Sequence, residues 1–147
     1  MSLKETLLND LKQAMKDKDI IRKDTVQMVR ASVLQIEKDK KVTLDDDGVL
    51  EVISKELKKR KDVLPEYEKS GRQDLIDGLN AEINVLLAYL PEQLTPEQLT
   101  EIVKDAIDSV GAVSMKDIGK VMSAVMPKVK GRADGKQINQ CAKELLS

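Results

Sequence analysis

The sequence lacks histidine altogether and has a single cysteine, Cys141. A histidine-based catalytic triad and a histidine-ligated metal site are therefore impossible, and one cysteine can form neither an intrachain disulfide nor a thiolate metal cage. Cys141 lies in an apolar stripe with no nearby cation except Lys143, so we expect an inert core thiol, with a reactive thiol as the alternative. The sequence predicts no catalytic residue, no metal and no cofactor.

Aromatic residues are also scarce, since Tyr67 and Tyr89 are the only two. Two aromatics are too few for a platform that stacks nucleic-acid bases, so any nucleic-acid contact must be mainly electrostatic. No apolar run approaches the roughly 20 residues of a membrane span, and the N-terminal residues carry too much charge for a signal peptide. We therefore expect a soluble, unprocessed, cytoplasmic protein that does not contact membranes.

The remaining composition favours helices. Of 147 residues, 41% are hydrophobic and 35% charged, with only 7 glycines and 4 prolines, which predicts an all-α protein. The net charge of −1 hides an asymmetry along the chain. Residues 1–90 carry 17 basic and 18 acidic side chains, residues 91–110 carry 1 and 5, and residues 111–147 carry 7 and 3. The last segment is thus a basic patch on a nearly neutral protein.

Apolar spacing of three and four residues predicts four helices in the first 90 residues. They cover about 2–17, 20–39, a third that starts near Asp45 or Asp46, and about 72–90. Pro65 should kink or end the third helix, and Gly71 should turn the chain into an antiparallel hairpin. In the second helix, apolar residues extend well beyond one stripe, which indicates a helix packed by neighbours on two sides.

The pattern changes at Pro91, where the sequence reads LPEQLTPEQL. Pro91 should stop a helix, Thr95 should cap the next one, and Leu94 should pack onto Leu99. We therefore predict an N-terminal helical domain with long antiparallel helices over 1–90, a linker over 91–95, and a small three-helix domain over 96–147. The C-terminal helices should cover about 96–110, a short stretch capped by Ser114 that ends before Pro127, and a stretch capped by Asp134.

Two basic segments are candidates for phosphate binding. The third helix contains KELKKRKD, in which Lys58, Lys59, Arg60 and Lys61 form either a phosphate-binding surface or a solvated face paired with neighbouring acidic residues such as Glu56. Charge runs on helices are usually solvated faces, so we favour the second interpretation.

The second basic segment lies between the last two helices and contains Lys128, Lys130, Gly131, Arg132 and Lys136. Gly131 can adopt positive φ, and the cationic side chains could hold a phosphate, with the strongest, forked contact from Arg132. The helix end itself is a weaker anion site, because a capping aspartate places negative charge there. The alternative interpretation is a tight, solvated connection between two helices.

The C-terminal segment and the rest of the chain both resemble the GatB/YqeY family. The segment IGKVMSAVMPKVKGRADGKQINQCAKELL is similar to the C-terminal signature of that family, and the rest of the chain resembles its free-standing YqeY-like members. The residues that match best are Gly119, Met122, Gly131, Arg132, Ala133 and Asn139. The resemblance implies a helical N-terminal domain followed by a three-helix domain.

The same resemblance implies a function, because the C-terminal module also forms the tail of the B subunit of the glutamine-dependent aspartyl/glutamyl-tRNA amidotransferase, where it engages tRNA. We expect a cytosolic accessory protein that binds tRNA through Lys128, Lys130, Gly131, Arg132 and Lys136 and is not catalytic alone. The alternatives are an adaptor for a synthetase or amidotransferase subunit, and a carbon-nitrogen ligase with glutamine as amido donor. The amidotransferase's catalytic domain has no counterpart here, so an enzymatic activity rests on family resemblance only.

Overall fold

The computed structural model describes all residues, Met1–Ser147, and is entirely helical, which confirms the all-α prediction. The helices are α1 (Leu3–Asp17), α2 (Ile20–Lys40), α3 (Asp46–Ser70), α4 (Gln73–Leu87), α5 (Pro96–Val110), α6 (Ile118–Val125) and α7 (Gly135–Leu146). Short 3₁₀ turns at Met115–Asp117 and Met126–Lys128 flank α6. The chain divides into two compact units, Met1–Leu90 and Pro91–Ser147. Whether each unit is an independent domain stays a prediction.

Three helices of the N-terminal unit begin at residues whose side chains cap them. Ser2 and Glu5 form a reciprocal capping box at α1, and the side chains of Asp19 and Asp45 accept hydrogen bonds from the first turns of α2 and α3. Each such cap stabilises a helix by about 1 kcal/mol, because it satisfies a backbone N–H group that has no partner within the helix. Local chemistry thus fixes the start of these three helices.

Pro65 is predicted to kink or end α3. It does not end the helix, which continues through Pro65 to Ser70. Leu64 and Tyr67, on either side of the proline, both pack against the core of the N-terminal unit. A proline removes one backbone hydrogen bond, and packing on both sides of it offsets that loss. The helix ends instead at Gly71, which has a φ of +70°.

Helix α2 is central to the N-terminal unit and contacts α1, α3 and α4. Its fully buried residues Val26 and Val29 share one apolar cluster with Leu7, Ile53 and Leu86. The prediction that α2 is packed by neighbours is confirmed. One face of α2 nevertheless stays exposed and carries apolar side chains.

The charged run on α3 is not the uniformly solvated face that we favoured. Glu56 and Arg60 are only 5% and 8% exposed. Arg60 Nη1 donates to Glu56 Oε2 at 2.9 Å, and Arg60 Nη2 donates to Met28 Sδ at 3.1 Å. The phosphate interpretation therefore loses its arginine, because a guanidinium that is buried and paired cannot reach a phosphate.

In the C-terminal unit, α5, α6 and α7 enclose a second apolar cluster that includes Val103, Val121 and Ile138. Thr95 caps α5 as predicted, in a reciprocal capping box with Gln98, and Pro96 occupies the first turn. Clear start and stop signals in the sequence at both ends of α5 explain why its bounds match the prediction.

Candidate phosphate-binding segment

Residues 128–136, here called the basic segment, cover most of the connection between α6 and α7 and the first two residues of α7. Val129 is 1% exposed and belongs to the apolar cluster of the C-terminal unit. Two N–H groups, those of Arg132 and Ala133, donate to the Val129 carbonyl at 2.8 and 3.2 Å. Gly131 has a φ of +76°, the left-handed conformation that glycine adopts without strain. A buried valine and a tight turn thus fix the backbone of the segment.

The predicted cations of this segment differ in exposure. Lys128, Lys130 and Lys136 are exposed, whereas Arg132 is half-buried. The structure therefore presents three ammonium groups to solvent within nine residues of chain. They can attract an anion without the cost of removing a buried charge from its partner.

Residues 92–94 lie against the basic segment and hold it. The Leu94 N–H donates to the Arg132 carbonyl at 3.0 Å, and Gln93 Nε2 donates to the Gly131 carbonyl at 2.7 Å. Arg132 Nε in turn donates to the Glu92 carbonyl at 3.0 Å. The segment predicted as a linker is thus partly an ordered element of the C-terminal unit.

These contacts change the expected role of Arg132. Its Nε already donates to a backbone carbonyl, so only the two Nη groups remain for a forked phosphate contact. Spacing along the chain gave no indication of this bond, because Glu92 lies 40 residues away. The sequence signal for this contact is Leu94, an apolar residue within a polar stretch, for which the sequence predicts only a contact with Leu99.

The start of α7 has the cap that the sequence predicts. Asp134 Oδ1 accepts from the Gln137 N–H at 2.8 Å, and Gln137 Oε1 accepts from the Asp134 N–H at 3.0 Å. Because the carboxylate of Asp134 occupies this helix end, an anion would be repelled there. The lysine side chains, rather than the helix end, are the groups suited to a phosphate.

Cys141 lies outside this segment and is half-buried rather than fully buried. Its Sγ is 3.7 Å from Thr100 Oγ1 and packs at the edge of the apolar cluster. A threonine hydroxyl does not activate a thiol, since it is not a base near neutral pH. The structure contains no group of three or more acidic, cysteine or histidine side chains that could hold a metal.

Comparisons with known proteins give a consistent set of relatives. The family model described as Yqey-like protein matches residues 4–146. A protein of Pyrenophora tritici-repentis is 28% identical over 140 residues, which cover 93% of this chain and 77% of the relative. A protein of Kluyveromyces lactis is 32% identical over 129 residues (82% and 70%), and one of Vanderwaltozyma polyspora is 31% identical over 120 residues (76% and 64%). All three are named "Altered inheritance of mitochondria protein 41, mitochondrial".

These relatives correct two predictions made from the sequence. The prediction of a cytosolic tRNA-interacting accessory protein of the amidotransferase is wrong, because the relatives carry a different name that concerns mitochondria. The prediction of a cytoplasmic protein is wrong for the same reason. The comparisons support the YqeY half of the predicted resemblance, and no link to the amidotransferase B subunit is shown. None of the helices combines the length and apolar composition needed to cross a bilayer.

Proposed function

The chain belongs to the Yqey-like protein family, and from this premise we propose that it is a non-catalytic binding protein that holds a phosphate-rich polyanion on the basic segment. The supporting observation is the trio of exposed lysines, Lys128, Lys130 and Lys136, on a backbone fixed by hydrogen bonds to residues 92–94. A fixed backbone lowers the ordering cost of binding, because little of the chain needs to be immobilised.

The proposed attraction is local. Residues 91–147 carry 8 basic and 8 acidic side chains, so the C-terminal unit has no net charge to attract a polyanion as a whole. Four of the eight acidic residues lie on α5, and Asp134 is the only one within the basic segment. We therefore expect modest affinity that falls steeply with salt, as is typical when a few ammonium groups displace counterions from phosphates.

Nucleic acid is the polyanion that we propose as the ligand class. Contacts to phosphates position a nucleic acid without reading its bases, so we expect binding without sequence preference. A tRNA partner, as well as a contact with a synthetase or amidotransferase subunit, stays an untested prediction. Any tRNA contact would be separate from the amidotransferase accessory role that the relatives contradict.

We also propose that the chain acts in the same process as its relatives, whose names describe mitochondrial proteins with an effect on mitochondrial inheritance. The high coverage of this chain by the Pyrenophora protein, 93%, supports a shared role for the helical body. A polyanion-binding segment is compatible with such a role, and it does not require an active site.

Binding of a single-stranded RNA oligonucleotide to the full chain, followed by fluorescence anisotropy at increasing salt, tests the proposal. Three lysine contacts at about 0.7 each predict a log-log slope of about −2, and Arg132 would bring it to about −3. Replacing Lys128, Lys130 and Lys136 with Gln should abolish measurable binding. The matched control removes three exposed lysines of the N-terminal unit instead, Lys12, Lys16 and Lys40. Equal binding by the two triple variants would refute the proposed site.

The two compact units are proposed to be separate domains. Residues 92–94 bond to the basic segment and Tyr89 bonds Asp10, so the weakest point should lie between them, at residues 90–92. Limited proteolysis of the full chain should cut there first and leave two resistant helical fragments. First cleavage within the exposed stretch 41–43, with 88–92 intact, would contradict separate domains.

A further inference from the structure

The outward face of α2 is unusual for this protein because its middle carries no charge. Between residues 25 and 37, the exposed positions of α2 are Gln27, Met28, Ala31, Leu34 and Gln35. Met28 is 47% exposed and Leu34 59%. Single exposed apolar residues are normal on protein surfaces. A run of five uncharged exposed positions is not expected in a chain that is 35% charged.

These side chains form one continuous stripe. At 3.6 residues per turn, the positions from Asp24 to Lys38 that are exposed on this side span an arc of about 120° centred on Ala31. The arc lies opposite the buried residues Val26, Val29 and Val33. We call the stripe of Asp24, Gln27, Met28, Ala31, Leu34, Gln35 and Lys38 the outer α2 face.

The outer α2 face is complementary to itself. Asp24 and Lys38 lie seven residues on either side of Ala31, and Met28 and Leu34 lie three residues on either side. If two copies of α2 meet in antiparallel orientation at Ala31, each Asp24 lies level with the Lys38 of the second copy. Each Met28 then lies level with a Leu34. This is the self-complementary pattern that a two-fold interface requires.

The side chains at these positions favour such a contact. Ala31, at the centre, has the small side chain that lets two helices approach closely. Lys38 is exposed, and Asp24, 61% exposed, has an ion pair only with its neighbour Lys23 at 3.7 Å. That exposed ion pair contributes little to stability, so Asp24 can exchange it for an ion pair across an interface.

A groove beside the stripe adds shape to the surface. Leu8, Arg30 and Leu34 line a depression of about 190 Å³ between α1 and α2. Sites for small molecules and cofactors enclose roughly 300 to 1,000 Å³, so this groove is too small for such a ligand. It is large enough to receive apolar side chains from a helix that lies along α2.

From these observations we propose that the outer α2 face is a homodimer interface, in which α2 pairs antiparallel with α2 of a second copy around a two-fold axis at Ala31. The outer α2 face runs from Asp24 to Lys38, about 21 Å at 1.5 Å per residue, and is smaller than a standard interface, so the dimer should dissociate on dilution in the micromolar range. The proposal concerns the N-terminal unit and does not depend on the basic segment.

Sedimentation velocity of the full chain over a range of concentrations tests this pairing. Asp24→Lys alone places two lysines level at each end, and Lys38→Glu alone places two acidic residues level there. Each single variant should raise the dimer dissociation constant at least tenfold. The double variant restores opposite charges and should return the constant to within about threefold of the unmodified chain, because like charges that face each other are the repulsive element.

Matched controls change the same charges elsewhere. Lys12→Glu on α1 and Asp105→Lys on α5 alter exposed residues outside the stripe and should leave the dissociation constant unchanged. Far-UV circular dichroism checks that all variants keep their helices. A chain that stays monomeric up to about 1 mM would overturn the proposal, because that concentration exceeds the dissociation constant expected for a specific weak dimer. A dimer that the single variants do not weaken, or that the double variant does not restore, would overturn it too.

Discussion

Replacing Arg60 with Met should lower the free energy of unfolding by about 3 kcal/mol, because it leaves the buried Glu56 carboxylate without its main partner. Glu56 is 5% exposed and accepts from Arg60 Nη1 at 2.9 Å. Breaking a buried ion pair by removing one member costs roughly 3 to 5 kcal/mol. The lower end applies here because Lys59 Nζ also bonds Glu56, at 3.2 Å, and remains in the variant.

The effect should depend on pH. Burial tends to raise the pKa of Glu56, but hydrogen bonds from Arg60 and Lys59 outweigh burial and hold the pKa below its ordinary value of 4.5. In the unmodified chain, the stability from this carboxylate is present above the unfolded-state pKa and is lost as pH falls through the folded-state pKa. Without Arg60 the burial effect grows in importance, and protonation relieves the buried charge. The destabilisation should therefore be smaller at pH 4 than at pH 7.

Urea unfolding followed by circular dichroism measures this loss. Lys59→Met is the control, because Lys59 is 71% exposed and its removal should cost less than about 1 kcal/mol. The double variant Glu56→Leu with Arg60→Met should recover to within about 1 kcal/mol of the unmodified chain, since apolar residues can replace a buried pair. A loss below about 1 kcal/mol for Arg60→Met, or no recovery in the double variant, would refute this account of α3.

Three further substitutions test other parts of the fold. Gly131→Val should cost on the order of 1 to 3 kcal/mol in thermal melting, because a β-branched residue is strained at a φ of +76°; an unchanged melting temperature would contradict the left-handed turn. Tyr89→Phe removes the 2.5 Å hydrogen bond to Asp10 and should cost about 1 kcal/mol in urea unfolding. Burial and that carboxylate raise the pKa of Tyr89 above its ordinary 10.0, so stability should fall as pH rises above 10, and a flat profile would count against the bond. Leu94→Ala should speed proteolysis at residues 88–95, and unchanged cleavage would mean that Leu94 does not hold this stretch.

The local parts of the fold could be predicted because short-range chemistry decides them. Ser2 with Glu5, and Thr95 with Gln98, bring both halves of a capping box within three residues, so each helix start is readable from the chain alone. Apolar spacing then gives the helix interiors. These signals need no knowledge of the neighbouring helices, and for that reason the predicted bounds of α1, α2 and α5 agree closely with the structure.

Features that depend on neighbouring helices could not be predicted in this way. Pro65 reads as a helix stop, and only the packing of the residues around it on the core shows why α3 continues. Arg60 and Lys59 are adjacent in one charged run, yet Arg60 is 9% exposed in its side chain and Lys59 71%. The difference arises because Arg60 points towards α2 and α4, where Met28 and Glu82 lie. A charged run gives the signs of the charges and does not give the direction of each side chain.

The basic segment shows the same limit at the candidate site. Lys128, Lys130, Arg132 and Lys136 are equivalent as positive charges in the sequence, but the structure separates them. Arg132 is half-buried and its Nε bonds the Glu92 carbonyl, so the residue with the best geometry for a phosphate also helps hold the segment in place. The three lysines are exposed side chains, so a melting experiment can show directly whether their replacement disturbs the fold. Loss of binding in an Arg132 variant can therefore come from a lost phosphate contact or from a disturbed basic segment. Loss of binding in the lysine variants, with the melting temperature unchanged, comes from the lost phosphate contacts alone.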